Sequence, residues 1–119
     1  MEIVEIDMKL SEAIREGIRK DGRQIFGAFY EYENGLKLNV YTTDIAIIGC
    51  CTIGAALIGI NAQDMEEPCE SFPELKQRVN IPCGCEMCYN NIGDIIVHLN
   101  DKERWSREKI ADWLEGIGE

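Results

Sequence analysis

Near the start of the chain, Leu10, Ile14 and Ile18 recur at helical spacing. They predict a first helix with Ser11 as N-cap, ended by Asp21-Gly22. The pattern then changes period. Gln24 to Tyr32 and Leu36 to Tyr41 are rich in β-branched and aromatic residues, and Glu33-Asn34-Gly35 lies between them. Asn-Gly supplies the positive φ angles of a tight turn, so the two segments read as a β-hairpin. In its second strand Leu36, Leu38 and Val40 alternate with Lys37, Asn39 and Tyr41, giving one apolar and one polar side.

The longest apolar run, Ile45 to Ile60, reads as a buried central helix capped by Thr42, Thr43 or Asp44. Gly49, Gly54 and Gly59 fall within it. Each costs about 1 kcal/mol relative to alanine in a helix, which close packing at those points would offset. Asn61 to Glu70 is acidic and loop-like. Ser71-Phe72-Pro73-Glu74 has the form of a capping box with proline in the first turn, opening a short helix with Phe72, Leu75 and Val79 on one face. Asp94 to Leu99 reads as one short strand. Ser106 is the expected N-cap of a last helix, with Trp105 stapled against Ile110 and a stripe of Ile110, Trp113, Leu114 and Ile117. The expected class is therefore α+β: a small single domain with an N-terminal helix, a β-hairpin, a central apolar helix, a cysteine-rich loop stapled by metal, and an amphipathic C-terminal helix.

With 119 residues, 45% of them hydrophobic, the chain can bury a core without depending wholly on cross-links. Its 22 acidic and 12 basic residues give a net charge of -10. Nucleic-acid binding calls for a basic footprint, so the balance argues against it and suits a solvated surface or a basic protein partner. Residues 1–7 carry acids and no apolar core, unlike a signal peptide. The central run is too short to span a bilayer comfortably. Both features suggest a cytoplasmic protein, where clustered thiols favour metal or redox chemistry over structural disulfides.

That compartment matters because three of the six cysteines fall in Cys83-Gly84-Cys85-Glu86-Met87-Cys88. Cys85-x-x-Cys88 is the pair spacing of two ligands on one tetrahedral metal, and Cys83 is a candidate third ligand. Cys69 is the first choice for the fourth position, followed by His98 and then Cys50 or Cys51. The metal expected is zinc, ahead of an iron–sulfur cluster. A shell of Cys69, Cys83, Cys85 and Cys88 would be closed and structural, with no open position for catalysis. Alternatively Cys83, Cys85 and Cys88 are free thiols serving a redox protein or sensor.

Other constellations are weaker. Cys50 and Cys51, inside the apolar run, behave most simply as small hydrophobes; a redox partnership with the cluster is the alternative. His98, the only histidine, reads as structural, and nothing in the spacing selects a nucleophilic pair with Cys88 or Cys51. Asn100 and Asp101 look like turn or cap residues. Asp64, Glu66 and Glu67 are uninformative in so acidic a chain. There is no phosphate-cradling glycine loop and no serine elbow, so no set of catalytic residues is complete.

Three stretches carry a resemblance. Gln24-Ile25-Phe26-Gly27-Ala28-Phe29 resembles a Q-x-x-G-x-hydrophobic stretch. Cys51-Thr52-Ile53-Gly54-Ala55-Ala56 resembles a C-A-L-G-A-A helix, with Thr52 and Ile53 replacing the usual alanine and leucine. His98-Leu99-Asn100-Asp101 followed by Trp105-Ser106-Arg107-Glu108-Lys109-Ile110-Ala111-Asp112-Trp113 resembles an H-L-N-D and W-S-R-E-x-I-A-D-W ending. The pattern is that of a group of small uncharacterised bacterial and phage proteins. The resemblance implies a single domain with Cys51 and Gly54 in a packed helix, and it implies no activity or substrate. The leading expectation is a non-enzymatic module with a structural zinc site that acts through protein–protein contact. A thiol redox protein comes second and an unrecognised hydrolase or transferase last. The glycine-bearing apolar helix is also compatible with a homodimer.

Overall fold

A three-stranded antiparallel sheet and the helices around it are laid down in chain order. The computed structural model describes residues 8–20, 23–39, 46–61, 68–82 and 90–119. Helix α1 (Leu10–Lys20) precedes strands β1 (Tyr30–Tyr32), β2 (Lys37–Leu38) and β3 (Ile47–Cys50). Helix α2 (Thr52–Gly59) follows at once. Then come the single turn α3 (Pro68–Ser71), a 3-10 turn (Pro73–Lys76), α4 (Ile92–Asp101) and α5 (Arg107–Gly116). The class is α+β, as expected.

The hairpin forms where Asn34-Gly35 places it. Gly35 has φ of 87°, its N–H donates to Tyr32 O, and Tyr32 N donates to Leu36 O. The sheet runs β2-β1-β3, with Tyr30 facing Leu38 on one side and Cys50 on the other. The strands are shorter than the sequence suggests. Residues 23–25 instead run parallel to β3, with Cys50 N donating to Arg23 O and Ile25 N donating to Cys50 O. Leu36 and Leu38, on the apolar side of the second strand, are 49% and 39% exposed; Val40 and Tyr41 lie outside the described residues.

Two elements differ in kind from expectation. The apolar run is not one helix: its first part is β3, which pairs with β1, and the chain turns into α2 at Cys51. A continuous apolar run fits a buried strand as well as a buried helix, and pairing with the aromatic strand β1 decides the matter. The cap is Cys51, whose Sγ accepts from Gly54 N; the expected caps Thr42, Thr43 and Asp44 lie outside the described residues. Asp94 to Leu99 is not a strand but the middle of α4. Asn91 caps that helix by accepting from Asp94 N. Buried Ile92, Ile95, Ile96 and Leu99 follow at i, i+3, i+4 and i+7, the helical period.

Smaller corrections concern helix ends. α1 starts at Leu10, and Ser11 is a buried residue inside it rather than its cap. The expected helix after Ser71 is split: Ser71 ends α3, Phe72 opens the 3-10 turn without a side-chain cap, and Val79 lies beyond it. α5 is as expected at its start, with Lys109 N donating to Ser106 Oγ at 3.1 Å. Along its stripe Ile110 and Leu114 are buried, whereas Ile117 is 40% exposed and Arg107 and Ala111 are buried in addition.

The buried residues form one cluster, with α1 packed between α2 and α5. The α1–α2 crossing depends on absent side chains. A Cβ at Gly17 would overlap the Ala55 carbonyl, and one at Gly59 would overlap the carbonyl of Ala13. Gly54 meets the Phe29 carbonyl in the same way. These contacts explain two of the three glycines in the apolar run. On the outer side, Arg15 ties α1 to α5 through Asp112 and Glu115, both at 2.7 Å.

Gly17→Ala should therefore destabilise the protein by about 1–3 kcal/mol through overpacking, although alanine exceeds glycine in helix preference by about 1 kcal/mol. Urea denaturation measures this, and an unchanged or raised midpoint would show that the crossing relaxes freely.

Candidate functional site

The N-terminus of α2, the C-terminal end of α4 and the segment 24–29 meet around one side chain, Asn100, which is 1% exposed. A buried carboxamide needs partners for both ends. Its Oδ1 accepts from Thr52 Oγ1 at 2.8 Å, Thr52 N at 3.2 Å and Gln24 Nε2 at 3.0 Å. Its Nδ2 donates to Ile25 O at 3.0 Å and to Asp101 Oδ1 at 2.8 Å. The network extends outward: Asp101 Oδ1 also accepts from Gly27 N at 3.1 Å, and Gln24 Nε2 donates to Trp105 O at 2.8 Å. Beside it, Arg107 is 4% exposed and donates to Cys50 O at 3.3 Å and Cys50 Sγ at 3.2 Å.

A cavity of about 180 Å³ opens against this network. Residues 27–29, Asn39 and residues 51–53 form one wall; Ile96, Val97, Asn100 and Asp101 of α4 form the other. Typical small-molecule pockets are about 300–1,000 Å³, so the space suits a side chain better than a cofactor. Cys51 lines it, and burial pushes its thiol up to about 11; the N–H groups of Gly54 and Ile53 oppose that shift and the charge of Asp101 adds to it. The thiol is thus protonated near neutrality and is not a poised nucleophile. His98 does not line the cavity. Its Nε2 is 3.4 Å from Glu103 Oε1 and has no hydrogen-bond partner among the described residues, the Cys51 thiol included, so Cys51 and His98 are not arranged as a nucleophilic pair.

Comparison with protein-family models, curated proteins and solved structures finds no match to this chain. The site is therefore read from its own geometry. The three stretches singled out in the sequence converge on it: Gln24 to Phe29, the N-terminus of α2, and Asn100 through Arg107.

The candidate metal ligands divide. Cys83, Cys85 and Cys88 lie outside the described residues. Cys69 is a half-buried free thiol in α3. It lines a hollow of about 290 Å³ with Leu75, Lys76, Asn91 and Asp94. Asn91 belongs to a short antiparallel ladder: Val79 N donates to Asn90 O at 3.0 Å, Ile92 N donates to Gln77 O at 2.9 Å, and Asn90 Nδ2 reaches Val79 O at 3.3 Å. The ladder sets side by side the points where the chain enters and leaves the cysteine-bearing stretch. Cys50 and Cys51 are buried, one beside Arg107 and the other in the cap of α2. Among the described residues, no group of three or more His, Cys, Asp or Glu side chains is placed to hold a metal. Among them too, no helix is long and apolar enough to cross a membrane.

Two outcomes follow. Asn100→Leu takes from Thr52 Oγ1, Thr52 N and Ile25 O the partner they have here and should cost at least about 3 kcal/mol, read as a lower urea midpoint; a loss below about 1 kcal/mol would mean water replaces the amide. The raised Cys51 pKa means that an unfolded thiol ionises first, near its ordinary value of 9.0. Its contribution is complete below pH 9 and is lost as pH rises toward 11, an effect on the order of 2 kcal/mol. Cys51→Ala should lose less stability than the native chain between those pH values in parallel thermal melts.

Proposed function

We propose that this chain is a non-enzymatic binding module in which Cys83, Cys85, Cys88 and Cys69 hold one zinc ion and the acidic surface serves contact with a basic protein partner. The observation that carries the reading is the ladder of Gln77–Val79 against Asn90–Ile92. It pins the two ends of the stretch bearing three of the thiols, beside the hollow that holds the fourth. Zinc would supply charge neutralisation and folding free energy rather than a catalytic water, because four thiolates close its coordination sphere. The central polar network supports the same reading. Its members bond one another, and Cys51, the nucleophile nearest to it, is held protonated. Cys50, Cys51 and Cys69 take part in no disulfide, which accords with a reducing compartment.

Elemental analysis by mass spectrometry on untagged protein, with a native thiol count, tests it. The expected result is about one zinc per chain, with Cys85→Ala and Cys88→Ala each lowering the melting temperature by at least about 5 °C. Metal-free protein with a thiol in the 83–88 stretch reacting much faster than free cysteine at neutral pH would overturn the zinc site. It would establish the thiol redox reading instead.

A further inference from the structure

Size, walls and charge together set what the cavity at Asn100 can hold. An apolar cavity of about 150 Å³ accommodates benzene, with its six heavy atoms, and this one is about 180 Å³. Phe29, Ile53, Ile96 and Val97 line it with hydrocarbon, and Val97, 41% exposed, carries that wall out to solvent. Asp101, the last residue of α4, adds a carboxylate. Gly27 N and Asn100 Nδ2 clamp its Oδ1, whereas Oδ2 takes no hydrogen bond from the described residues. No lysine or arginine among the described residues forms a salt bridge with it. Asn39 supplies a neutral acceptor: its Oδ1 takes the Phe29 N–H at 3.0 Å and keeps a second lone pair. At the start of α2, Thr52 N is spent on Asn100 Oδ1 and Gly54 N on Cys51 Sγ. The roughly half positive charge at that helix start is offset by the roughly half negative charge where α4 ends. The Asp101 carboxylate therefore sets the sign of the field, and the cavity selects a cation.

We infer that this cavity receives one lysine side chain of the partner protein, its methylene stem against Phe29, Ile53 and Val97 and its ammonium at Asp101 and Asn39. A lysine side chain has fewer heavy atoms than benzene. Its ammonium is a compact charge that one open carboxylate oxygen and one amide oxygen can satisfy. Arginine is longer, and the two parallel hydrogen bonds of its planar fork call for both carboxylate oxygens, of which Oδ1 is already taken. The net charge of -10 draws a basic partner toward the mouth. Zinc does not compete for the space: Cys69 lines the hollow at Asn91 and Asp94, by the cap of α4, and the cavity lies at the last turn. The pocket rests on the binding-module reading and names the side chain that the partner inserts.

Nuclear magnetic resonance on the full-length, isotope-labelled protein titrated with acetyl-Gly-Lys-Gly-amide is the test. The same peptide with norleucine in place of lysine keeps the stem and removes the charge; with arginine it keeps the charge and changes the shape. The lysine peptide should shift and saturate the amides of Gly27, Ile53, Val97 and Asp101, with Gly27 reporting directly through its bond to Asp101. Both control peptides should bind at least about fivefold more weakly. Asp101→Asn preserves the size of the side chain and should weaken lysine binding at least about tenfold. Val97→Lys, at an exposed helical position, should keep the native spectrum and weaken binding by placing the chain's own ammonium at the mouth. Raising salt from about 0.05 M to about 0.5 M should weaken it as well. No saturable shifts, shifts mapping away from these residues, an equal response to either control peptide, or undiminished binding by the Val97→Lys protein would overturn the pocket. Protein carrying one zinc per chain yet showing no lysine-dependent shifts refutes the pocket alone; zinc-free protein with those shifts refutes the metal site alone.

Discussion

The carboxamide of Asn100 is the constraint on which the arrangement of the other parts depends. Once buried, it is cut off from water, and four polar atoms from distant stretches must converge on it together with the carboxylate of the adjacent Asp101. That requirement fixes the N-terminus of α2 against the end of α4 and holds residues 24–25 against both. It also sets where Phe29 runs, because the Phe29 carbonyl accepts from Cys51 N while lying against Gly54. Around this polar centre the helices pack by a different rule. α1 approaches α2 through Gly17 and Gly59, where backbone meets backbone, so the crossing tolerates little change in volume.

How much of this was legible in the sequence depended on how local each interaction is. The Asn34-Gly35 turn and the Ser106 cap of α5 bond within three residues and could be read directly. Cys51 as a helix cap could not, since cysteine is not among the usual caps and the apolar run shows no break there. Asp94 to Leu99 was misread because Ile95-Ile96-Val97 is a β-branched run; Asn91 and the spacing of Ile92, Ile95, Ile96 and Leu99 were the available helical signal. Asn100 looked like a turn residue because its partners other than Asp101 lie 48 to 76 positions away, and no local pattern carries such information. The burial of Arg107 was missed for the same reason: its acceptor atoms belong to Cys50, 57 positions earlier.

The molecule therefore has a closed interior and an open flank. Inside, the polar groups around Asn100 bond one another, and the Cys51 thiol lining the cavity is kept neutral by burial. Outside, α4 presents carboxylates on either side of an uncovered valine. The same helix serves both sides, since Ile92, Ile95, Ile96 and Leu99 face the core while Asp94 and Val97 face solvent. Adjacent Asn100 and Asp101 mark the seam, one satisfying the interior and the other reaching the rim.

The backbone ladder between Gln77–Val79 and Asn90–Ile92 has an architectural consequence. Its rungs are made by residues 77–79 and 90–92, on either side of the cysteine-bearing stretch, and by none of the residues between them. Lengthening that stretch by a few residues adds only a few tenths of a kcal/mol in closure entropy, while α4 and the core beneath it keep their positions. The scaffold thus separates the length of that stretch from the geometry of the core.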